Sequence, residues 1–219
     1  RACGWAFVKS AEILIDQRKL DMAADFAKRA GKLGEQTGDT TLVAVSIMQE
    51  GQVELYHNNA DEAILLLDKS IKKGLGRKSN DYLGLALNDL GFAWGMKDDL
   101  ERQVEFTLKS LNIFETIRNE QGVALAMSNL STVYWQLGNY KKAIEYGLKS
   151  FQLREKSGDP ARLATCACNL AQYYLKDNLD EAIRYRQRCL QYAKATGENR
   201  FLVSAYITSA QVSNALKNN

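Results

Sequence analysis

The chain has 219 residues and a net charge of +3, and its 29 basic and 26 acidic side chains are interspersed rather than grouped. This mixed distribution does not favour nucleic-acid binding, which needs a basic face. One proline and 15 glycines argue against a disordered chain or a fold of strands and turns, and no apolar run reaches the roughly 20 residues that a membrane span requires.

A period of about 40 residues organises the chain. One helical position recurs at spacings of 40, 40, 40 and 39 residues and is occupied by Ala23, Ala63, Gln103, Ala143 and Ala182. The predicted repeats, in chain order, cover residues 3–38, 40–78, 81–118, 120–158 and 159–197. A further helical segment over 199–217 is either a capping helix or a truncated sixth repeat. As a cap, its polar outer face would consist of Ser204, Thr208, Gln211, Ser213 and Asn214.

The fourth repeat shows what each period contains. Apolar residues at 127, 130, 134 and 137 have the spacing of a helix with one buried stripe. Gly138-Asn139 interrupts that helix, and a second apolar stripe runs from Ala143 to Phe151. Asp159-Pro160 then provides a helix start for the next repeat. The pattern predicts antiparallel helix hairpins and an all-α fold of about 11 helices.

Three more repeat positions hold small residues, and one holds a bulky residue. The small positions are those of Ser131 (Ala11, Gly51, Gly91, Ala171), Ala124 (Gly4, Ala44, Gly84, Ala164) and Ser150 (Ala30, Ser70, Ser110, Cys189). The bulky position holds Phe26, Leu66, Phe106, Tyr146 and Tyr185. Small residues predict a close approach of the two helices of a hairpin, and the bulky side chains are predicted to fill the groove to the next repeat.

The third repeat is unusual. Gln103 replaces the alanine, and Gly84, Gly91 and Gly95 lie in one predicted helix. Each glycine weakens a helix by about 1 kcal/mol relative to alanine. The sequence leaves two interpretations open, a close contact between helices or a flexible joint.

Two segments carry a family resemblance. Asn129–Tyr134 with Leu137–Ala143, and Asn169–Tyr174 with Leu179–Ala182, resemble the tetratricopeptide repeat. The resemblance implies a right-handed α-solenoid of antiparallel hairpins that forms a single array over residues 1–219, with the first helix of each hairpin lining a concave groove. The repeat here has 39–40 residues rather than about 34, as in the long repeats of signalling scaffolds and bacterial regulators.

The resemblance also implies which side chains face the groove. The candidate partner-binding residues are Met48, Gln49, Gln52, Asn88, Asp89, Phe92, Asn129, Thr132, Asn169 and Gln172. Asparagine and glutamine can bond both donors and acceptors of a peptide backbone; alternatively, Asn129 and Asn169 bond neighbouring helices inside the array. The lysine clamp of chaperone-binding relatives is not expected, since only Lys9 and Lys176 occupy groove positions.

No catalytic constellation emerges from the sequence. His57 is the only histidine, so we expect no metal site, no cofactor and no enzymatic activity. All four cysteines are interpreted as free, small apolar helix residues, which favours a reducing compartment and a cytoplasmic location. The chain begins with neither methionine nor a signal peptide, and we expect it to be part of a longer protein.

These observations predict a non-catalytic scaffold that binds a protein or peptide in the groove, as the interaction or sensor module of a larger regulatory protein. No binding of nucleic acid or membrane by this segment is expected. The alternative is a ligand-sensing array of a bacterial transcriptional or two-component regulator that responds to a peptide or small molecule.

Overall fold

A computed structural model describes residues 2–74 and 80–217, and within these residues it contains eleven α-helices and no strand. The predicted all-α fold is confirmed. The helices are α1 (Ala2–Asp16), α2 (Leu20–Thr37), α3 (Thr40–Tyr56), α4 (Ala60–Lys73), α5 (Asp81–Met96), α6 (Leu100–Thr116), α7 (Glu120–Gln136), α8 (Tyr140–Ser157), α9 (Pro160–Tyr174), α10 (Leu179–Thr196) and α11 (Asn199–Lys217). The end of the second predicted repeat, residues 75–78, lies outside the described residues. No helix in the described part is long and apolar enough to cross a membrane.

The helices form two compact units, Arg1–Gly122 (unit 1) and Val123–Asn219 (unit 2). Odd-numbered helices are the first helices of the predicted hairpins and even-numbered helices are the second. In unit 1, α1, α3 and α5 pack on α2, α4 and α6 respectively, and α1 and α5 also contact α3. In unit 2, α9 packs on α10 and also contacts α11. Each unit is therefore a stack of hairpins whose first helices lie side by side.

The turns of the first four hairpins place one residue in the left-handed region at the same repeat position. These residues are Arg18, Asn58, Asp98 and Gly138, with φ between 60° and 74°. In two of these hairpins the side chain of the next residue caps the second helix: Asp99 accepts from the Arg102 amide at 3.0 Å and Asn139 from the Lys142 amide at 3.2 Å. Three of the four left-handed residues are not glycine, so the closing contacts of the hairpin hold the turn.

Two hydrogen bonds close the hairpin of α7 and α8. Near the turn, the Ser131 hydroxyl donates to the Ala143 carbonyl at 2.8 Å. Farther from the turn, the Ser150 hydroxyl donates to the Ala124 carbonyl at 2.7 Å. All four residues belong to the small positions, so small side chains lie opposite one another across the hairpin and let the two backbones approach.

The second of these bonds is repeated in unit 1. Ser70 donates to the Ala44 carbonyl at 2.8 Å, and Ser110 donates to the Gly84 carbonyl at 2.7 Å. Both serines are fully buried, and a buried hydroxyl that is hydrogen-bonded avoids a desolvation penalty. The predicted close approach of the two helices is confirmed, with a side-chain bond to the backbone that spacing alone did not indicate.

The bulky position packs differently from its prediction. Tyr146 stacks on Tyr134 with ring centres 5.6 Å apart, and Tyr185 stacks on Tyr174 at 5.6 Å. Each contact joins the two helices of its own hairpin, whereas contact with the next repeat was predicted. Tyr185 additionally meets Phe151 of the preceding hairpin at 5.7 Å. The rings reach their own first helix because the small positions bring the two helices close.

A disulfide joins Cys168 of α9 to Cys189 of α10. The expectation that all four cysteines are free is therefore wrong for this pair, while Cys3 and Cys166 are free. Cys189 occupies the position of Ser150, so a covalent bond crosses the hairpin where other repeats place a serine hydrogen bond. The two cysteines are 21 residues apart and meet only when the hairpin closes. The disulfide removes the cysteine argument for a reducing compartment.

The glycines of α5 make close contacts with α6. A Cβ atom at Gly95 would lie 2.4 Å from Oε1 of Gln103, and one at Gly91 would lie 2.8 Å from the Thr107 hydroxyl. A Cβ atom at Gly84 would lie 2.5 Å from the Phe114 ring. Gln103 is only 8% exposed, so the long side chain that interrupts the alanine series fills the room left by glycine. The close-contact interpretation therefore accounts for the glycines without a flexible joint.

The outer face of the last helix is mixed, with Ser204, Gln211 and Asn214 exposed beside apolar residues. Thr208, predicted to lie on that face, is 1% exposed, whereas Val203, Tyr206 and Ile207 are more than half exposed. The corresponding residues of α9, one repeat earlier, are buried: Ala164, Ala167 and Cys168. The exposed face of α11 therefore corresponds to the face that α10 covers on α9, and α11 resembles the first helix of a hairpin.

A double-mutant cycle tests the exchange between Gln103 and Gly95. With Gln103 present, the new methyl group of Gly95→Ala must displace a buried amide; with alanine at position 103, it gains helix propensity of up to about 1 kcal/mol. We expect the two substitutions to couple by about 1 kcal/mol or more in the free energy of unfolding, measured by urea denaturation. Additive effects would show that the two positions do not share space.

Thiol counting tests the disulfide. We expect an alkylating reagent to label two cysteines in the unfolded, unreduced chain and four after reduction, because Cys3 and Cys166 are free. The Cys168→Ser/Cys189→Ser variant should lose about 3 kcal/mol of unfolding free energy, the value for a loop of roughly 20 residues. Four labelled cysteines before reduction would contradict the assignment; Cys3→Ser provides the control for a cysteine outside the bond.

Candidate partner-binding face

The first helices of unit 1 are joined by glutamine side chains. Nε2 of Gln49 on α3 donates to the Val8 carbonyl on α1 at 2.9 Å, and Nε2 of Gln52 donates to Oδ2 of Asp89 on α5 at 2.7 Å. One bond is buried and the other is partly accessible. We call the accessible surface around Gln52, Asp89, Tyr56 and Phe92 the first-helix face of unit 1.

Three predicted groove residues are buried within the helix layer. Met48 is 1% exposed, Gln49 is 0% exposed and Asn88 is 5% exposed. The prediction that they line a groove is corrected for these three, since a side chain packed between helices presents no surface to a partner. They lie inside because neighbouring first helices contact each other along this edge, and Gln49 uses its amide to bond α1.

Asp89 is the most perturbed carboxyl group on this face. Burial raises its pKa to about 6, although the hydrogen bonds from Gln52 and Asn88 act in the opposite direction. The side chain remains partly accessible beside Gln52. A carboxylate in this setting is favoured by a cationic group that approaches it from solvent.

Two aromatic side chains next to this pair are exposed. Phe92, one turn after Asp89 on α5, is 50% exposed, and Tyr56, one turn after Gln52 on α3, is 42% exposed. The guanidinium of Arg18 lies 4.1 Å from the centre of the Tyr56 ring, so this ring already receives one cation. The face thus combines a carboxylate, an amide and two aromatic rings on rigid helices.

At the start of the same first helices, side chains contact one another. The rings of Trp5 on α1 and Tyr82 on α5 lie 5.9 Å apart, and Lys9 pairs with Glu12 at 2.7 Å. Burial and the Glu12 carboxylate raise the pKa of Tyr82. Lys9, one of two lysines at predicted groove positions, is thus engaged by a carboxylate of its own helix.

In unit 2 the predicted residues also bond neighbouring first helices. Nε2 of Gln172 on α9 donates to Oε1 of Gln211 on α11 at 2.9 Å. The Thr132 hydroxyl accepts from Tyr173 at 3.4 Å and donates to the Ser128 carbonyl at 3.2 Å. Asn129 and Asn169 are partly exposed at the same phase, one repeat apart.

Residues 122–195 match the tetratricopeptide repeat family. This match confirms the predicted resemblance over these residues. They include most of the fourth and fifth predicted repeats, the region whose motifs carry the resemblance. No curated protein matches the sequence.

Solved structures share the fold at low sequence identity. A Rap protein in complex with Competence and Sporulation Factor superimposes with a TM-score of 0.80 at 14% identity, over 92% of this chain and 56% of that one. A STAND-type signal transduction ATPase with a tetratricopeptide repeat sensor from Pyrococcus horikoshii gives 0.76 at 19%, over 99% of this chain and 34% of that one. BtubC from P. vanneervenii gives 0.69 at 17%, over 90% of each chain. This chain spans about half or less of the first two.

Unit 2 contains two residues that the sequence did not place on this surface. Trp135 on α7 is 40% exposed, with its ring 5.9 Å from that of Tyr173. Gln211 was assigned to the outer face of a cap, whereas it pairs with Gln172. The 39-residue spacing of Gln172 and Gln211 was the available signal, because equivalent residues of adjacent first helices lie side by side.

The described residues offer no cluster of potential metal ligands. Across residues 2–74 and 80–217, no three histidine, cysteine, aspartate or glutamate side chains come together as metal ligands. His57 has its Nδ1 atom 4.0 Å from a carboxylate oxygen of Glu54.

Asp89→Asn tests the raised pKa. The folded-state pKa of about 6 lies above the unfolded value of about 3.9, so the folded protein binds this proton more tightly and stability falls as pH rises through that window. Asparagine does not ionise and so avoids this loss of stability. Above pH 7, the free energy of unfolding of the variant should therefore exceed that of the native chain by about 1 to 3 kcal/mol. The difference should vanish near pH 4; a constant difference at both values would contradict the shift. Urea denaturation across this pH range measures it, with Glu105→Gln as control.

Proposed function

We propose that this chain is a non-catalytic scaffold whose first-helix faces bind a segment of another protein. Tetratricopeptide repeats stack into extended surfaces of the kind used for protein binding. The observation that carries the proposal is the Gln52–Asp89 pair flanked by the exposed rings of Phe92 and Tyr56. Exposed aromatic side chains near a partly buried polar pair are typical of binding surfaces rather than of solvated helix faces.

The chemistry of the face in unit 1 selects a peptide that carries a cationic residue. Burial holds the Asp89 carboxyl at a raised pKa, and a lysine or arginine that reaches it gains a charge-assisted hydrogen bond in a partly desolvated place. The rings of Phe92 and Tyr56 contact the apolar stem of that residue or a neighbouring apolar side chain. Binding should therefore strengthen as pH rises through about 6.

The contribution proposed for unit 2 rests on amide side chains. Asn129 and Asn169 occupy the same phase of adjacent first helices and are partly exposed. At this spacing, two amides can bond the backbone of an extended or helical segment. The indole ring of Trp135, on the same helix as Asn129, is 40% exposed and adds apolar area to this helix.

Peptide selection tests the proposal. The biotinylated chain is used to select binders from a randomised peptide library, and their affinity is then measured by fluorescence anisotropy. We expect Asp89→Asn to weaken binding of the selected peptides about tenfold at pH 7.5, the loss of about 1.4 kcal/mol, and Phe92→Ala to do the same. Asn129→Ala/Asn169→Ala should weaken binding if unit 2 contributes.

Controls separate binding from folding. Asp89→Asn is expected to be more stable than the native chain, so a weaker affinity in this variant does not reflect unfolding. Glu105→Gln on α6 removes a carboxylate of a second helix that pairs with Lys109 at 2.6 Å, and it should leave the affinity unchanged. Selected peptides that bind all variants equally would refute the assignment of these faces.

A ligand-sensing array is the second candidate. Two structural neighbours favour it: one carries a tetratricopeptide repeat sensor, and a Rap protein was crystallised with Competence and Sporulation Factor. In this candidate a peptide changes the arrangement of the repeats. Small-angle scattering with and without a selected peptide distinguishes the two: a change in the scattering curve at saturation supports sensing, and identical curves support a rigid scaffold.

A further inference from the structure

The outer side of the second helices carries a repeated group of acid, ring and base. Ion pairs four residues apart join Asp25 to Arg29 at 2.9 Å, Glu105 to Lys109 at 2.6 Å and Glu145 to Lys149 at 2.7 Å. In α2, α6 and α8 the same cation also lies within 6 Å of a ring, that of Phe26, Phe106 or Tyr146. In each of these helices, the cation is therefore paired with a carboxylate of the same helix.

Helix α4 breaks this pattern. Leu65 stands where those helices have the acid, and it is 61% exposed. Leu66 replaces the ring, so Lys69 has neither the carboxylate nor the aromatic partner of its equivalents. In α10, which also departs from the pattern, Arg184 and Arg188 pair with Glu181 and Glu155. Substitution of an exposed leucine for a pairing acid adds apolar surface and positive charge together.

The residues around Leu65 form a depression. It has a volume of about 450 Å³ and is lined by Leu65, Asp68, Lys69, Lys72 and Lys73. Three lysines against one aspartate give this surface a charge of +2 (3 − 1). Within the described residues, none of the three lysines forms an ion pair at contact distance. Burial raises the pKa of the nearby Glu50, and the charges of Lys28 and Lys69 oppose that rise in part.

The helix dipole explains only part of the positive charge on this surface. Lys72 and Lys73 lie in the last turn of α4, where cations complement the helix dipole. Lys69 and Leu65 lie earlier in the helix, where the dipole does not favour a cation. An exposed leucine surrounded by cations has the composition of a docking surface for an acidic partner with an apolar side chain.

We propose that the α4 surface, formed by Leu65, Asp68, Lys69, Lys72 and Lys73, docks an acidic amphipathic helix of a partner protein. An apolar side chain of that helix packs on Leu65 in the depression, and its carboxylates pair with the lysines. Charge complementarity selects this partner over the cationic peptide proposed for the first-helix face of unit 1. The two surfaces lie on different helices, so this inference does not depend on the proposed function.

The probe is a fluorescein-labelled synthetic peptide of about 18 residues, or five helical turns. It carries leucines along one stripe and glutamates on both flanks. Fluorescence anisotropy measures its affinity, and amide chemical-shift changes in the ¹⁵N-labelled chain locate its site. We expect saturable binding with shifts centred on α4. Peptides with lysine in place of glutamate, or alanine in place of leucine, should bind about tenfold more weakly or not at all.

Leu65→Glu is the decisive variant, because it recreates the pair that other hairpins contain and is therefore expected to fold. It should weaken binding of the acidic peptide about tenfold or more, and Lys69→Glu/Lys72→Glu should do the same. Lys109→Glu, at the equivalent position of α6, is the matched control and should leave binding unchanged. Asp89→Asn should also bind normally, which separates this test from that of the first-helix face.

Three outcomes overturn the proposal. They are no saturable binding at millimolar peptide, equal binding by Leu65→Glu, and chemical-shift changes located away from α4. Vesicles of phosphatidylserine and phosphatidylcholine provide a further arm. If such vesicles bind the chain through the same residues and the peptide does not, the surface recognises a membrane rather than an acidic helix.

Discussion

The close approach of two helices within each hairpin is the constraint on which the rest of the structure depends. Small residues lie opposite one another near the turn and again farther from it, and serine hydroxyls donate to backbone carbonyls there, as Ser150 does to Ala124. A larger side chain is accepted only where its neighbour gives way: Gln103 occupies the room left by Gly95. This complementarity explains why the one interruption of the alanine series falls in the glycine-rich repeat.

The same geometry decides the chemistry of equivalent positions. Cys189 stands in the place of Ser150, and with Cys168 on the facing helix it forms a covalent bond across the hairpin. Tyr146 and Tyr185 reach tyrosines of their own first helices for the same reason. First helices also contact one another, and Gln49 donates its amide hydrogen bond to the backbone of a neighbouring first helix. On this side of unit 1, the accessible pair of polar side chains is that of Gln52 and Asp89.

Partner selection can therefore arise on two kinds of surface. The first-helix face of unit 1 has a carboxylate between exposed rings, while the α4 surface has lysines around an exposed leucine. Their opposite charges favour different partners. The α4 surface departs from the repeat pattern, because the equivalent positions of α2, α6 and α8 carry ion pairs. Departures from a structural repeat are where specific binding can be encoded without disturbing the stack.

The sequence by itself determined the all-α fold and the small positions, because helical periodicity and glycine or alanine spacing are local signals. It could not assign the candidate site in full. Met48, Gln49 and Asn88 share the phase of groove residues yet are buried, and the pairing of Cys168 with Cys189 or of Gln172 with Gln211 joins residues far apart in the chain. Only the tertiary structure decided these, because burial and side-chain partners depend on how closely neighbouring helices pack.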